Sequence, residues 1–141
     1  MYESVRGTVG QIIGFASTEV IDGYLHICQV SVSFEFQSLG AGNKLMAALI
    51  AFAKEHDRFR STSGAAETAT KPGHANRAFK GLSLSTDKEA WWNAPWYERM
   101  SFNVVEAGKL GSGHEEKRKE EATMGLDMNR RCFMLLDFEH R

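Results

Sequence analysis

The stretch that decides the fold is "FQSLGAGNKLMAAL", residues 36–49, which joins an alternating apolar run to a long run of helix-forming side chains. Gly40 and Gly42 place flexible backbone at the very start of the predicted helix. Two interpretations are open. Either the glycines form a tight turn that packs closely, or they clear the backbone for a ligand. The first N–H groups of a helix lack internal partners and attract phosphate, so a phosphate ligand would suit this position.

The segments around this stretch alternate between strand and helix patterns. Residues 10–20 and 24–34 are rich in β-branched and aromatic side chains and are predicted strands, joined by the hairpin signal Asp22-Gly23. Residues 43–56 are a predicted amphipathic helix, because apolar side chains recur with helical spacing. Five further elements follow: a strand at 82–86, a short helix containing Pro95, a strand at 102–107, a charged helix at 113–125 and a strand at 130–138.

This order predicts an α/β or α+β fold, with a mixed sheet and helices on its faces. Residues 1–141 are expected to form a single domain, because a chain of this length rarely divides. Residues 58–80 lack periodicity and are rich in small and polar side chains, so we expect a flexible insertion there. The charged helix is expected to be a solvated one, held by charge pairs along its surface.

Composition narrows the class of protein. The net charge of −1 gives no electrostatic reason to expect a nucleic acid or a membrane as partner, and no apolar run is long enough to span a bilayer. The N-terminal residues do not resemble a signal peptide, so we expect a cytoplasmic protein. Cys28 and Cys132 lie in apolar runs and are predicted to be reduced core residues.

Known phosphate-binding loops differ in how well they match this junction. A Walker loop needs a Gly-Lys-Ser/Thr ending that "GAGNKL" lacks, and a dinucleotide fingerprint needs a glycine where Leu45 stands. The pattern Q-x-x-G-x-G from Gln37 to Gly42, after a V-x-V strand at Val30 and Val32, matches better. It resembles the coenzyme A loop of the GNAT superfamily of N-acetyltransferases.

The second half of the chain adds to the resemblance. Asn93 opens a short helix, Tyr97 follows four residues later, and Ser101-Phe102 stands where that family has a Gly-Phe strand start. The ending "GLDMNRRCFM" also resembles one branch of the family. The resemblance covers about residues 10–138 apart from the insertion. It implies a mixed, mostly antiparallel central sheet with flanking helices.

The resemblance also implies an activity, the transfer of an acetyl group from acetyl-CoA to a primary amine of a small molecule or peptide, by direct attack in a ternary complex. No metal is expected. Val30 and Val32 would hold the pantetheine arm through their main chain, and Asn93 would hydrogen-bond that arm. Tyr97 would be the catalytic residue that supports the leaving thiolate, as general acid or by electrostatic stabilisation. The pyrophosphate would be held by the loop: Gln37, Ser38, Leu39, Gly40, Ala41, Gly42 and Asn43.

The base that deprotonates the amine is less clearly marked. Gln29 stands near the place where the family often has a glutamate, and an amide cannot act as a base. His26, Glu35 and Glu19 remain as candidates. His26 suits the role best by its intrinsic pKa and is the predicted catalytic base.

Three departures from the family pattern bear on function. About nine residues precede the first predicted strand, so the chain is expected to be shortened at its N-terminus, where the family has two helices that help to form the acceptor site. The sheet edge left open is a candidate for pairing with a second copy as a homodimer. Ser101 replaces a glycine and would be strained if its φ is positive. The alternative to an enzyme is therefore a truncated domain that binds coenzyme A or a partner chain without efficient catalysis.

Overall fold

The computed structural model describes residues 2–6, 10–56, 78–90 and 93–138. Its strands are β1 (Tyr2–Arg6), β2 (Ile12–Ile21), β3 (Tyr24–Val32), β4 (Gly81–Asp87), β5 (Asn103–Val105) and β6 (Arg131–Asp137). Its helices are α1 (Ala41–Glu55), α2 (Ala94–Glu98) and α3 (Ser112–Thr123), with 3-10 turns at Phe34–Phe36 and Ala107–Lys109. Most of the predicted insertion at 58–80 lies outside the described residues.

The six strands form one sheet in the order β1-β2-β3-β4-β6-β5. The β3–β4 pair is parallel and the other four pairs are antiparallel. The prediction of a mixed, mostly antiparallel sheet with flanking helices is therefore confirmed. Strand β1, which pairs with β2 at the sheet edge, was not predicted, because "YESVR" has too few apolar side chains to give a strand pattern.

Helix α1 covers one face of the sheet and builds the hydrophobic core. Its buried side chains include Leu45, Met46 and Leu49, each no more than 1% exposed. They belong to one cluster with the apolar side chains of the central strands: Leu25, Ile27, Leu82, Leu84 and Met134. The predicted amphipathic helix is thus confirmed, although it begins two residues earlier, at Ala41.

Helix α3 packs on the opposite face of the sheet, and its contacts there are polar. Side chains alternate between the two faces of a strand, so His26 points away from the face that Leu25 and Ile27 share with α1. His114 and Glu121 of α3 are 2% and 7% exposed. The prediction of a solvated charged helix is therefore wrong for one side of α3, although ion pairs such as Glu115–Arg118 do lie along it.

The burial of the two cysteines and the backbone of Ser101 can be compared with what the sequence suggested. Cys132 is buried as predicted, but Cys28 is exposed, so the prediction that both are core residues is wrong for Cys28. Ser101 has a φ of 79°, which is the positive value that the family's glycine at this place would accommodate. No helix in the part of the chain that the structure describes is both long and apolar enough to cross a bilayer.

Candidate functional site

The parallel strands β3 and β4 separate along their length. They pair from Tyr24 opposite Gly81 to Ile27 opposite Leu84, and β3 then continues to Val32 without a partner in β4. The separation begins beside an irregularity in β3. Ser17 of β2 is opposite Gln29, whereas Thr18 is opposite Ile27, so Cys28 is the extra residue of a β-bulge. A bulge bends its strand, which accounts for the gap that opens there.

The main chain of Val30 and Val32 faces this gap. Ser33 N–H donates to the Ile13 carbonyl over 2.7 Å, and bonded positions alternate along an antiparallel ladder. Val32 lies opposite Gly14 and Val30 opposite Ala16, which makes both of them non-bonded positions with respect to β2. Their N–H and C=O groups therefore point toward β4. The carbonyl of Val32 accepts a hydrogen bond from Gln37 Nε2 (3.0 Å). Within residues 10–56, 78–90 and 93–138, the N–H of Val32 and both main-chain groups of Val30 pair with neither β2 nor β4.

The N-terminus of α1 lies at the open end of the gap. The first backbone bond of the helix runs from Lys44 N–H to the Gly40 carbonyl over 3.0 Å, so the N–H groups of Ala41, Gly42 and Asn43 are not used within the helix. Gly40 has a φ of 93°, and a Cβ added there would meet nothing within 4 Å. Ser38 also has a positive φ, 69°. This turn therefore combines an unobstructed surface with several N–H groups that lack helical partners.

The two glycines of the turn have different roles. Gly40 is needed for its left-handed backbone, which side chains rarely adopt. Gly42 allows close packing, because a Cβ there would approach the Trp96 ring to 3.3 Å and the ring would have to shift slightly. Trp96 Nε1 also donates to Asn43 Oδ1 over 2.9 Å, which ties α2 to the first turn of α1. The close-packing interpretation therefore applies to Gly42, whereas the clearing of the backbone for a ligand at Gly40 stays a prediction.

Helix α2 brings Asn93 and Tyr97 to the same side of the sheet as α1. Asn93 is the N-cap residue of α2, and its carbonyl accepts from Tyr97 N–H (3.1 Å). The Tyr97 ring packs between Trp96 and Phe102, with centroids 4.9 and 5.9 Å away. Burial raises the pKa of Tyr97, so its phenol stays protonated at neutral pH and can donate a proton. In the described part of the chain its hydroxyl has no hydrogen-bond partner.

On the α3 side, a cavity of about 190 Å³ opens where β3 and β4 separate. Ile27 and Cys28 of β3 and Ser85 of β4 form part of its wall. Its other lining residues are His26, Lys117, Glu120, Glu121, Met124, Leu126 and Arg131. The cavity therefore has a charged wall with an apolar rim, and it lies next to the gap into which Val30 and Val32 point.

Most charged groups of the cavity are already paired. Ser85 Oγ donates to Glu121 Oε1 over 2.8 Å, and the Arg131 guanidinium lies 3.6 Å from the same carboxylate. Lys117 Nζ lies 2.8 Å from Glu19 and 3.1 Å from Glu120.

These pairings affect two residues that sequence had suggested for catalysis or the core. The hydrogen bond from Lys117 keeps the pKa of Glu19 below its usual value, which makes Glu19 a poor base. Although the Cys28 residue as a whole is exposed, partial desolvation of its thiol, and then the hydrogen bond that it donates to Glu19, raise the pKa of the thiol to about 11. Glu35, the third base candidate, is exposed in the 3-10 turn Phe34–Phe36 and does not line the cavity.

His26, the predicted base, is 1% exposed and lies in a chain of hydrogen bonds beneath α3. Its Nδ1 is 2.8 Å from Ser83 Oγ, and the same hydroxyl is 2.9 Å from His114 Nε2. His114 Nδ1 is in turn 2.9 Å from Asp22 Oδ2. Asp22 also caps α3, because it accepts from the N–H groups of Gly113 and His114. The catalytic role of His26 stays a prediction.

Sequence reasoning missed the residues that surround His26. Ser83 and Ser85 alternate with leucines in "LSLST", and this period of two marks one polar face of a strand. His114, Lys117 and Glu121 are spaced by three and four residues, which marks one side of a helix. Both signals are present in the sequence, but nothing in it shows that the two faces meet. The absence of a metal also stays a prediction, although residues 10–56, 78–90 and 93–138 hold no metal-like cluster of His, Cys, Asp and Glu.

Known proteins share this architecture. The ribosomal-protein-S18-alanine N-acetyltransferase from Escherichia coli is 16% identical, with a TM-score of 0.58, over 97% of this chain and 68% of that chain. N-acetylglutamate synthase from Neisseria gonorrhoeae, complexed with coenzyme A and N-acetyl-glutamate, is 14% identical with a TM-score of 0.61, over 96% of this chain and 25% of that chain. A GNAT-family acetyltransferase from Staphylococcus aureus Mu50 is 16% identical with a TM-score of 0.60, over 96% of this chain and 67% of that chain.

Identities this low establish a common fold and no more, and this chain spans only a quarter of the second protein. The family itself is established by sequence. Residues 4–79, more than half of the 141 residues, match the Acetyltransferase (GNAT) family. The chain therefore belongs to the GNAT acetyltransferase family and is an N-acetyltransferase that takes its acetyl group from acetyl-CoA.

Proposed function

We propose that the protein transfers the acetyl group to a primary amine of a small molecule or peptide, by direct attack within a ternary complex. The observation that carries this proposal is the gap between β3 and β4, into which the main chain of Val30 and Val32 points. A pantetheine arm has two amides and is extended, so it can pair with an open strand as another strand would. The turn before α1 lies at the end of the gap, at the place for a pyrophosphate.

Specific residues of the turn support phosphate binding. The N–H groups of Ala41, Gly42 and Asn43 carry the partial positive charge of the α1 N-terminus, and the space above Gly40 is open. The other proposed contacts to the donor come from Gln37, Ser38 and Leu39 of the loop and from Asn93. Gln37 supports the site in a second way, because its side chain fixes the end of β3 through the Val32 carbonyl.

The acceptor amine is proposed to enter the cavity beneath α3. Its wall contains the carboxylates of Glu120 and Glu121, which can accept from an ammonium group in addition to their partners Lys117 and Arg131. Its rim carries Met124 and Leu126, which suit an apolar substituent. At about 190 Å³ the cavity holds a small amine or the end of a longer one. Because Cys28 and Ser85 lie where the strands separate, an amine bound there would be next to the donor's thioester.

The chemistry follows from the pKa values around the gap. The high pKa of Cys28, about 11, keeps its thiol protonated, so Cys28 is a poor nucleophile and transfer through an acetyl-cysteine is disfavoured. The amine nitrogen instead forms a bond to the thioester carbon, and the carbon–sulfur bond breaks. Tyr97 donates its phenol proton to the leaving sulfur and regains a proton from solvent before the next turnover. The proton of the amine leaves toward His26.

The test combines binding and turnover. Acetyl-CoA should raise the melting temperature of the full chain, and thiol release should be measured over a panel of alkyl amines, diamines, amino acid amides and peptides with free N-termini. Products are identified by mass spectrometry. Thiol release with an acetylated amine supports the proposal. A thermal shift without release from any amine would contradict it and favour a coenzyme-binding domain.

The loop assignment has its own matched pair of variants. Gly40→Glu and Gly40→Gln impose the same strain at a φ of 93°, but only glutamate adds a negative charge beside the proposed pyrophosphate. We expect Gly40→Glu to lose acetyl-CoA affinity by at least about tenfold relative to Gly40→Gln, because like charges repel. Equal affinities of the two variants, measured by calorimetry, would contradict phosphate binding at this turn.

A further inference from the structure

Asp22, His114, Ser83 and His26 form a hydrogen-bonded chain beneath α3, whose role as proposed below rests on the proposed function. The three links measure 2.9, 2.9 and 2.8 Å. At one end, His26 forms part of the cavity wall. At the other end, the carboxyl group of Asp22 is 22% exposed. Ser83, between the two imidazoles, is completely buried. The chain thus connects the proposed acceptor cavity with the protein surface.

The direction of every hydrogen bond in this chain is fixed by Asp22. Its carboxylate can only accept, and it accepts from two backbone N–H groups of α3 besides His114. Nδ1 of His114 must therefore carry the proton. In a neutral imidazole Nε2 is then an acceptor, so the Ser83 hydroxyl donates to it. The Ser83 oxygen in turn accepts from His26 Nδ1–H.

This order leaves His26 with an unprotonated Nε2. Within the described part of the chain, that nitrogen has no hydrogen-bond partner. Both imidazoles are held neutral by burial, which lowers the pKa of His26 to about 4 and lowers that of His114 despite the opposing effect of Asp22. The charged groups that act on His26 from neighbouring elements are Glu19 of β2 and Lys117 of α3, in addition to His114 itself.

We propose that Asp22, His114 and Ser83 are positioning residues that hold His26 as the general base and carry the amine proton out of the cavity. His26 Nε2 takes a proton from the amine, directly or through one water. Nδ1 then gives its proton to Ser83, Ser83 gives its own to His114 Nε2, and His114 Nδ1 gives its own to Asp22, which returns it to solvent. Each of the four residues that gains a proton loses one, so the buried histidines do not remain charged. After the product leaves, the reverse transfer, from solvent through Asp22 to water in the cavity, restores the starting tautomers.

The relay explains how a weakly basic histidine can serve here. An imidazole in an apolar site holds an extra proton poorly, and on its own it would return the proton to the amine. When the proton is passed on within the same event, the positive charge does not stay at His26. Phe133 packs against both rings, with centroids 6.0 Å from His26 and 5.9 Å from His114, and helps to exclude water from the chain.

The test compares Ser83→Ala, which breaks the chain at its centre, with Phe133→Leu, which loosens the packing of both rings without removing a proton carrier. The substrate is the amine that wild-type enzyme acetylates fastest. For Ser83→Ala we expect kcat to fall by about 10²-fold with KM for acetyl-CoA unchanged, since general-base catalysis is worth about that factor. When kcat is measured at increasing fractions of D2O, its solvent isotope effect should indicate several transferred protons in the wild type and fewer in Ser83→Ala. Phe133→Leu should keep the wild-type isotope effect.

Asp22→Asn provides a second variant should Ser83→Ala fold poorly, because it keeps an acceptor for His114 but cannot take up the proton. It should also lower kcat and leave acetyl-CoA binding intact. If the wild-type enzyme is active and the kcat values of Ser83→Ala and Asp22→Asn lie within twofold of wild type, the relay is overturned and the proposed function stands. Equal decreases of kcat in Ser83→Ala and Phe133→Leu would also overturn the relay. A wild-type protein that binds acetyl-CoA but acetylates no amine would overturn the proposed function, and the relay with it.

Discussion

Ser101 shows strain at a single residue. Its φ of 79° is a left-handed conformation that a side chain with a Cβ adopts at a cost of about 1 kcal/mol. We therefore expect Ser101→Gly to raise the free energy of unfolding by up to about 1 kcal/mol, measured by urea denaturation. Ser112→Gly is the matched control. Ser112 is the first residue of α3, where glycine should lower stability, so equal gains in both variants would contradict the strain.

The hydroxyl of Tyr97 is the group proposed to protonate the leaving thiolate. Tyr97→Phe keeps the ring between Trp96 and Phe102 and removes only the hydroxyl. If that hydroxyl supplies the proton to the leaving thiolate, kcat should fall by about 10²-fold while the dissociation constant of acetyl-CoA stays the same. Stopped-flow turnover and calorimetry separate the two quantities. An unchanged kcat would refute the role of Tyr97.

Individual residues could be predicted from sequence only where their chemistry depends on near neighbours. Asn93 opens α2 as expected, and Ser101 has the positive φ on which the expectation of strain was conditional, because both properties are set within a few residues. Asp22, Ser83 and His114 lie far apart in the sequence and meet only when β3, β4 and α3 assemble. The sequence contains their polar periodicity but not the partner that each one contacts.

The contact between α3 and the β2–β3 turn predicts how a substitution in the first turn of the helix changes stability. Alanine usually stabilises a helix relative to glycine by about 1 kcal/mol. At Gly113, however, a Cβ would lie 2.6 Å from Asp22 Oδ1 and 2.9 Å from Ile21 Cγ2. Asp22 cannot move freely, because it accepts two backbone hydrogen bonds from α3. We expect Gly113→Ala to destabilise the protein by about 1 kcal/mol in thermal or chemical denaturation, through loss of this cap.

Gly108→Ala is the control for this prediction, since a Cβ there would meet nothing within 4 Å. It should leave the melting temperature nearly unchanged. A Gly113→Ala variant that is as stable as wild type, or more stable, would show that the turn yields easily and that Asp22 does not fix α3.

Elements were predictable where their pattern is strong. The hairpin at Asp22-Gly23 and the helix from Ala41 follow from turn chemistry and periodicity, and their boundaries shift by only a few residues. Strand β1 was missed because pairing with β2, and not its own composition, makes it a strand. The buried side of α3 was missed because its residues are polar and their burial depends on partners across the sheet.

For the molecule as a whole, the buried histidines predict how stability depends on pH. An unfolded His26 takes up a proton near its ordinary pKa of 6.5, whereas the folded one does so only at about 4. Between these values the unfolded state binds more protons, so folding stability must fall as the pH is lowered from about 6.5 to about 4. The loss should reach about 3 kcal/mol from this group. Melting temperature as a function of pH gives the measurement.

His26→Gln should flatten this part of the profile, because it removes the titrating ring. His56→Gln is the matched control, since His56 stacks on Phe52 at the end of α1, away from the α3 side of the sheet. It should keep the wild-type slope. A wild-type protein whose stability does not change over this pH range would contradict the neutral, buried state of His26.

The unpaired stretch of β3 has a consequence for the protein before any substrate arrives. A sheet normally leaves hydrogen-bonding groups unpaired only at its two outer borders, but here, among the strands that the structure describes, Val30 and the N–H of Val32 have no partner in its middle. Such groups accept any extended peptide, including one from another copy that has begun to unfold. Saturation with the thioester donor should therefore do more than start a reaction. Because the bound donor would occupy the unpaired part of β3, it should reduce aggregation of newly made protein. Light scattering during storage with and without the donor gives the measurement.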